Sequence, residues 1–345
     1  MKKRVKRLII TVSILLAVCV ILPFAVSVIL YESNFGERYY TDVTASFDLT
    51  DFPGLTAERH EFLSNKGQKL VGYLYAHEDS APSALLVLAH GIGSGGQNRF
   101  MNVADYFASR GYAVFAYDAT GNDESEGKGT RGLPQGVIDL SHAISCAENL
   151  PGMADLPVML LGHSWGGYSV SAVLTWHPEV KAVCAISGFD RSSDLLRATG
   201  RSMIGGAIDL LMPYVNLWER IRFGACAVNT STDGFAASDA KVMIVHSADD
   251  TTVPIGYGYD LYEKTYGNDP RFTFVKFENR GHDHVFRTAE FERYLNDLNA
   301  AFDETGLSAG MRDGWMREHM DREQLIRALD ENLFDEIAAF FASAA

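Results

Sequence analysis

Six apolar runs, at 84–89, 113–117, 157–161, 181–187, 241–246 and 272–277, recur along this chain with helix-like stretches at 97–110, 135–149, 166–176 and 255–266 between them. A strand that reads as a continuous hydrophobic run is buried on both faces, and successive parallel strands need crossover helices to join them. The alternation therefore predicts an α/β chain, a mostly parallel sheet with helices on both faces. Ahead of it, HEFLSNKGQKLVGYLYAHE (60–78) reads as two antiparallel strands around an Asn65-Lys66-Gly67 turn. One interval breaks the rhythm. About fifty residues, 188–240, separate the run ending near Ser187 from the one starting at Lys241, too many for a single crossover helix. They include DLLRATGRSMIGGAIDLLMPYVNLWERI, and read as a helical cap over the carboxyl edge of the sheet, where α/β proteins bind ligands.

The N-terminus follows different rules. After Lys2, Lys3, Arg4, Lys6 and Arg7, residues 8–30 are 23 positions without a charge, long enough to span a bilayer as a helix. The apolar stretch is longer than a signal-peptide core, and AVSV at 25–28 is a poor cleavage site. The expectation is an uncleaved single-pass anchor at the cell membrane, with secretion after cleavage as the alternative. The basic end stays in the cytoplasm, which puts the rest of the chain outside. The expected organisation is an anchor over 1–30, a linker over 31–58 and a catalytic domain over 59–345 with the cap inserted. Beyond residue 30 the chain carries 25 basic and 44 acidic residues, a net charge of -19, which argues against nucleic acid as a partner. Cys146, Cys184 and Cys226 are odd in number with no C-x-x-C spacing, so neither a zinc site nor a disulfide framework is indicated.

Two glycine-containing stretches carry the chemistry. In LAHGIGSGGQNRF (88–100), Gly91, Gly93 and Gly96 have the spacing of a dinucleotide-binding turn, and Asp118 lies where a ribose-binding acid would sit. In LPVMLLGHSWGGYS (156–169), Gly162-His163-Ser164-Trp165-Gly166 is a G-x-S-x-G between a buried strand and a helix, the setting of a nucleophile elbow. A serine hydroxyl needs a base, and the base needs an acid to fix its tautomer. Both follow in the order this fold logic demands: Asp249 and Asp250 after the run at 241–246, then His282 after the run at 272–277. The dinucleotide reading explains neither Ser164 nor these partners.

HGIG, YDATGNDESEG, GHSWGG, HSADDTTVP and GHDH, in that order over about residues 59–298, resemble the successive signatures of the α/β-hydrolase superfamily. They are most similar to its bacterial serine-hydrolase branch related to monoacylglycerol lipases and serine aminopeptidases. The resemblance implies an α/β-hydrolase fold, no cofactor, and a catalytic triad of Ser164, His282 and Asp250. It also implies an oxyanion hole formed by the N–H groups of Ile92 and Trp165. Asp250 fits the H-G-x-x-D-x-x-V-P pattern, with Ser247 in place of its glycine and Asp249 as the fallback acid. Asp123 replaces the second glycine usual in the D-x-x-G-x-G-x-S loop. His163 and His90 are expected to be structural, and His284 to line the pocket or bond to the backbone. A metal held by His282, Asp283 and His284 with His246 is the competing reading of that cluster.

The expected activity is that of a serine hydrolase, carboxylesterase- or lipase-like, acting on a small-molecule or lipid ester. Amide or peptide cleavage and acyl transfer are the alternatives, and a non-catalytic binding protein is a further one. Past the matched region, 291–306 reads as the closing helix and 317–344 as further helix after an insertion around 302–318, with the acidic residues of that last stretch on a solvated face.

Overall fold

The computed structural model describes residues 2–78 and 81–344. Eight strands form one sheet in the order β1-β2-β4-β3-β5-β6-β7-β8. Their ranges are β1 Leu55–Leu63, β2 Lys69–His77, β3 Ala84–Ala89, β4 Tyr112–Asp118, β5 Val158–His163, β6 Ala182–Ile186, β7 Lys241–Ser247 and β8 Phe272–Phe277. β1 and β2 pair antiparallel, β2 runs antiparallel to β4, and every pairing from β4 to β8 is parallel. The hairpin begins at Leu55, five residues before the sequence suggests. The six apolar runs coincide with β3 to β8 to within two residues at either end.

Why those runs are continuous is plain from β3. Leu85, Val87 and Ala89 enter one core while Ala84, Leu86 and Leu88 enter the other, so both faces of the pleat are dry. Twelve helices surround the sheet among the described residues: α1 Lys2–Asn34, α2 Met101–Ala108, α3 Leu133–Glu148, α4 Trp165–Ala172, α5 Ser192–Ile204, α6 Ile208–Phe223, α7 Ser231–Ala237, α8 Tyr259–Tyr266, α9 Ala289–Glu304, α10 Arg312–His319, α11 Arg322–Ile326 and α12 Glu331–Ala342. Residues of α3, α4 and α8 fill the first core, and residues of α2, α9 and α12 the second.

Two expectations change here. The stretch 31–58 is not a free linker, because Tyr31, Phe35, Val43, Phe47 and Phe52 are all buried in the two cores. Aromatic side chains of that size have too much apolar surface to leave in water when the sheet offers a place for them. The stretch 317–344 is not one helix. Met320 leaves the helical region, Asp321 caps α11 by accepting from the Glu323 N–H, and Asp330 caps α12. Some of its acids are therefore helix caps rather than a plain solvated face. α12 then packs Phe334 and Phe341 on Phe107 of α2.

α1 is a 33-residue helix long and apolar enough to cross a membrane. Its first part stands clear, with Leu8, Ile9, Val18, Ile21 and Leu22 more than half exposed. Its last turns do not. Ser27, Tyr31 and the adjoining Phe35 are buried, and the helix lies along α6 of the cap. Tyr31 donates to Glu219 at 2.9 Å, Ser192 donates to the same carboxylate oxygen at 2.8 Å, and Trp218 donates to Glu32 at 2.9 Å. Arg222 pairs with Glu32 as well.

Candidate active site

β5 ends at His163 and α4 begins at Trp165, leaving Ser164 as the single hinge residue with φ 57° and ψ -114°. A non-glycine residue in that region is strained and persists only where its surroundings impose it. The neighbours show how. A Cβ at Gly162 would lie 2.3 Å from the Gly166 carbonyl oxygen, and one at Gly166 would lie 1.9 Å from the Ala89 oxygen. Only glycine lets strand, hinge and helix approach this closely. The Ser164 N–H donates to Ile186 O at 2.8 Å, fixing the turn to β6.

The loops after β7 and β8 converge on this hinge. His282 Nε2 lies 2.8 Å from Ser164 Oγ, and His282 Nδ1 lies 2.7 Å from Asp250 Oδ2. Asp250 is buried and its other oxygen accepts from the Thr252 and Val253 N–H groups at 2.9 and 2.8 Å. Burial by itself would raise the Asp250 pKa. Hydrogen bonds from His246, His282 and the backbone outweigh it and hold the carboxyl well below the usual carboxylate range. An ionised Asp250 accepts a hydrogen bond from the Nδ1–H, which fixes the tautomer and leaves Nε2 to accept from the serine hydroxyl.

Asp249 sits beside this chain and outside it. It accepts from Ser247 Oγ at 2.6 Å and from the Gly281 N–H at 2.8 Å, so it joins the β7 loop to the residue before His282. That tie, and the contact of His246 Nε2 with Asp250 at 3.3 Å, escape the sequence reading. The adjacent acids on one short loop were the available signal, but which one faces the histidine depends on the turn.

The oxyanion candidates lie where the motifs suggest. Trp165 opens α4, and its N–H has no intrahelical partner because the helix begins there. Ile92 lines the cleft beside Ser164, and among the described residues its N–H makes no backbone hydrogen bond either. The Trp165 side chain is buried and anchored by donation to Leu133 O at 2.7 Å. His90 donates from Nδ1 to Gly91 O at 2.7 Å and accepts at Nε2 from the Ala119 N–H at 2.9 Å. With both nitrogens on the backbone, it shapes the loop.

Asp118 is committed to the same loop. It accepts from the Gln97 and Glu124 N–H groups at 2.8 and 3.1 Å, and a Cβ on Gly96 would collide with it. Burial pushes its pKa up to about 7. Asp123, at φ 31°, accepts from the Gly96 N–H at 2.7 Å and from Thr41. The acid that sequence spacing offers to a ribose is thus already occupied by backbone.

His163 is buried under the hinge, its Nε2 donating to the His282 carbonyl at 3.0 Å, and burial with the neighbouring imidazole holds it neutral. His284 departs from expectation. It is absent from the cleft lining and lies 2.6 Å from Glu292. Of the cluster considered for a metal, His282 and Asp283 stay close together with His163 beside them, while His284 is drawn to Glu292. Both nitrogens of His282 are engaged by Ser164 and Asp250, and His246 donates to the Val253 carbonyl at 2.9 Å. A ligand nitrogen must offer a lone pair, which a donating N–H does not.

The cleft above Ser164, counted with the open solvent at its mouth, encloses about 1070 Å³. Phe35 and Tyr39 from beyond α1, Leu195, Leu196 and Thr199 from α5, and Arg99 form much of its wall. No motif marks Phe35 or Tyr39, because pocket residues remote in sequence are brought in only by the fold.

A family model described as serine aminopeptidase S33 matches residues 80–194. A monoacylglycerol lipase of Mycolicibacterium smegmatis is 30% identical over 201 residues, 55% of this chain and 66% of that protein. The quorum-quenching protein AidA of Acinetobacter baumannii is 27% identical over 146 residues, 41% of this chain and 48% of that one. The chain thus spans between about half and two thirds of the length of these relatives. Among solved structures, an esterase of Pyrococcus furiosus superposes with a TM-score of 0.56 at 14% identity, covering 82% of this chain and 98% of that one. At that identity the likeness speaks for the fold. Sheet topology, the hinge at Ser164 and these matches lead to one family: the chain belongs to the α/β-hydrolase superfamily.

Proposed function

We propose that this protein is a membrane-anchored serine hydrolase that cleaves acyl esters. The observation that carries the reading is the unbroken chain Ser164–His282–Asp250, at 2.8 and 2.7 Å, with Ser164 and His282 lining a cleft and the Ile92 and Trp165 N–H groups close by without a hydrogen-bond partner among the described residues. His282 takes the hydroxyl proton as Ser164 Oγ attacks the acyl carbonyl, and Asp250 stabilises the imidazolium. The N–H groups of Ile92 and Trp165 donate to the developing oxyanion, which forms at the positive end of α4. His282 returns the proton to the leaving oxygen, and an acyl-enzyme remains. Water, deprotonated by the same imidazole, releases the acid.

The lipase among the relatives and the apolar residues of the cap favour esters with an alkyl chain. The S33 description favours a second reading, release of an N-terminal amino acid by the same groups. The anchor reading rests on α1 itself: its exposed apolar length suits a bilayer, and its last turns are folded into the domain rather than separable from it. The basic N-terminus then faces the cytoplasm and the catalytic domain lies outside.

The test is hydrolysis of p-nitrophenyl esters from acetate to palmitate by the full-length chain in vesicles, with Ser164→Ala alongside. Turnover that vanishes in the variant supports the ester reading. Turnover of aminoacyl p-nitroanilides without ester turnover replaces it with the peptidase, and product diverted to an added alcohol replaces it with a transferase.

A further inference from the structure

A shallow, open apolar groove lies between the end of α1 and the cap. Leu30, Tyr31 and Phe35 form one wall, and Met203, Ile208 and Met212 much of the other. It adjoins the catalytic cleft, and Asn34, Phe35, Leu196 and Thr199 line both. Its far end is open and apolar. Met203 is 64% exposed, and Ile29, Leu210 and Ile221 nearby in the same helices are also exposed.

The length of α1 sets where that open end lies. At about 1.5 Å per residue, residues 8–30 extend roughly 35 Å, close to the thickness of a bilayer's hydrocarbon core. Leu30, at the mouth of the groove, therefore falls at the outer boundary of that core. The wall is held in place by polar clasps, Tyr31 and Ser192 on Glu219, and Trp218 and Arg222 on Glu32. A mostly apolar groove that opens near the lipid boundary and adjoins the cleft of a nucleophile suits a hydrocarbon chain drawn from the membrane. Such a chain passes from one apolar medium to another without crossing water.

We infer that the end of the anchor helix is one wall of an acyl-chain subsite, through which an alkyl chain of a membrane amphiphile slides from the bilayer until its ester reaches Ser164. The inference rests on the serine-hydrolase reading, and its test separates the two. Full-length protein in phosphatidylcholine vesicles is labelled with ethyl and with dodecyl fluorophosphonate, and the ratio of the two rate constants is measured. The dodecyl probe is expected to react at least about tenfold faster. Met203→Trp on the cap side and Leu30→Trp on the anchor side should each bring the ratio near one. Met203 is already exposed, so its replacement does not disturb the core.

A ratio near one in the unaltered protein overturns the subsite. A ratio that falls with Met203→Trp and not with Leu30→Trp assigns the groove to the cap and overturns the role of the anchor. A hexadecyl probe that labels equally fast from the protein's own vesicles and from separate ones overturns delivery from the membrane. Failure of both short and long probes to label Ser164 removes the hydrolase reading and this one with it.

Discussion

The hinge around Ser164 and the groove between α1 and the cap lie side by side and are built in opposite ways. At the hinge, nearly every polar atom is committed. Asp250 accepts four hydrogen bonds or close contacts, His90 uses both nitrogens, and a single added methyl at Gly166 would meet the Ala89 oxygen at 1.9 Å. In the groove, side chains meet mostly through apolar contact, several are exposed, and the few polar groups are Asn34, Thr199 and the clasps that hold its walls. Chemistry requires atoms held to fractions of an ångström, which directional bonds supply. Holding an alkyl chain requires only apolar surface of about the right shape.

Substitution should expose that contrast. Ser164→Ala is expected to lower kcat/KM at least about ten-thousandfold, with Asp250→Asn approaching it because the imidazole then loses its tautomer. Steady-state kinetics on a short ester measure both. Asp249→Asn should cost only roughly tenfold, since Asp249 positions the loop before His282 without touching the ring. Equal losses at the two aspartates would erase the distinction between them.

Gly166→Ala tests the rigidity of the hinge through stability. With backbone on the far side and nowhere to move, the methyl should lower stability by about 3 kcal/mol, read as a drop in the thermal midpoint. A variant that melts like the parent would show that the hinge is softer than its packing implies.

The smallest effect belongs to the clasp. Burial pushes the Glu219 carboxyl up to about 7 in the folded protein, partly opposed by hydrogen bonds from Ser192 and Tyr31. The folded state therefore holds a proton that the unfolded chain has lost. Stability should fall as pH rises from about 4.5 to about 7, and Glu219→Gln should flatten that slope. Melting midpoints across this interval check the sign, and a slope unchanged by the substitution would remove Glu219 as its source.

Much of this was legible beforehand, and the reason is periodicity. Strands β3 to β8 are buried on both faces, so their composition marks them without any knowledge of neighbours. The serine, the histidine and the pair of candidate acids stand at strand ends, where short motifs with obligatory glycines survive as local text. Spacing alone left both Asp249 and Asp250 open and only the family pattern favoured Asp250, because a turn of a few residues sends one carboxylate to the imidazole and the other to the Gly281 N–H.

It also misjudged 31–58. Tyr31 and Phe35 are one helical turn apart at the end of α1 while Phe47 and Phe52 follow no regular period, and the burial of all four comes from surfaces that only exist once distant segments have folded. What the sequence determined by itself was therefore the sheet, the order of the reacting groups and the apolar reach of the first helix, since each depends on residues close together in the chain. The tertiary structure alone decided that the aromatic residues of 31–58 are buried and that the end of the first helix walls a groove. Those outcomes depend on contacts such as that of Tyr31 with Glu219, whose partners lie 188 positions apart, and no local pattern encodes such a distance.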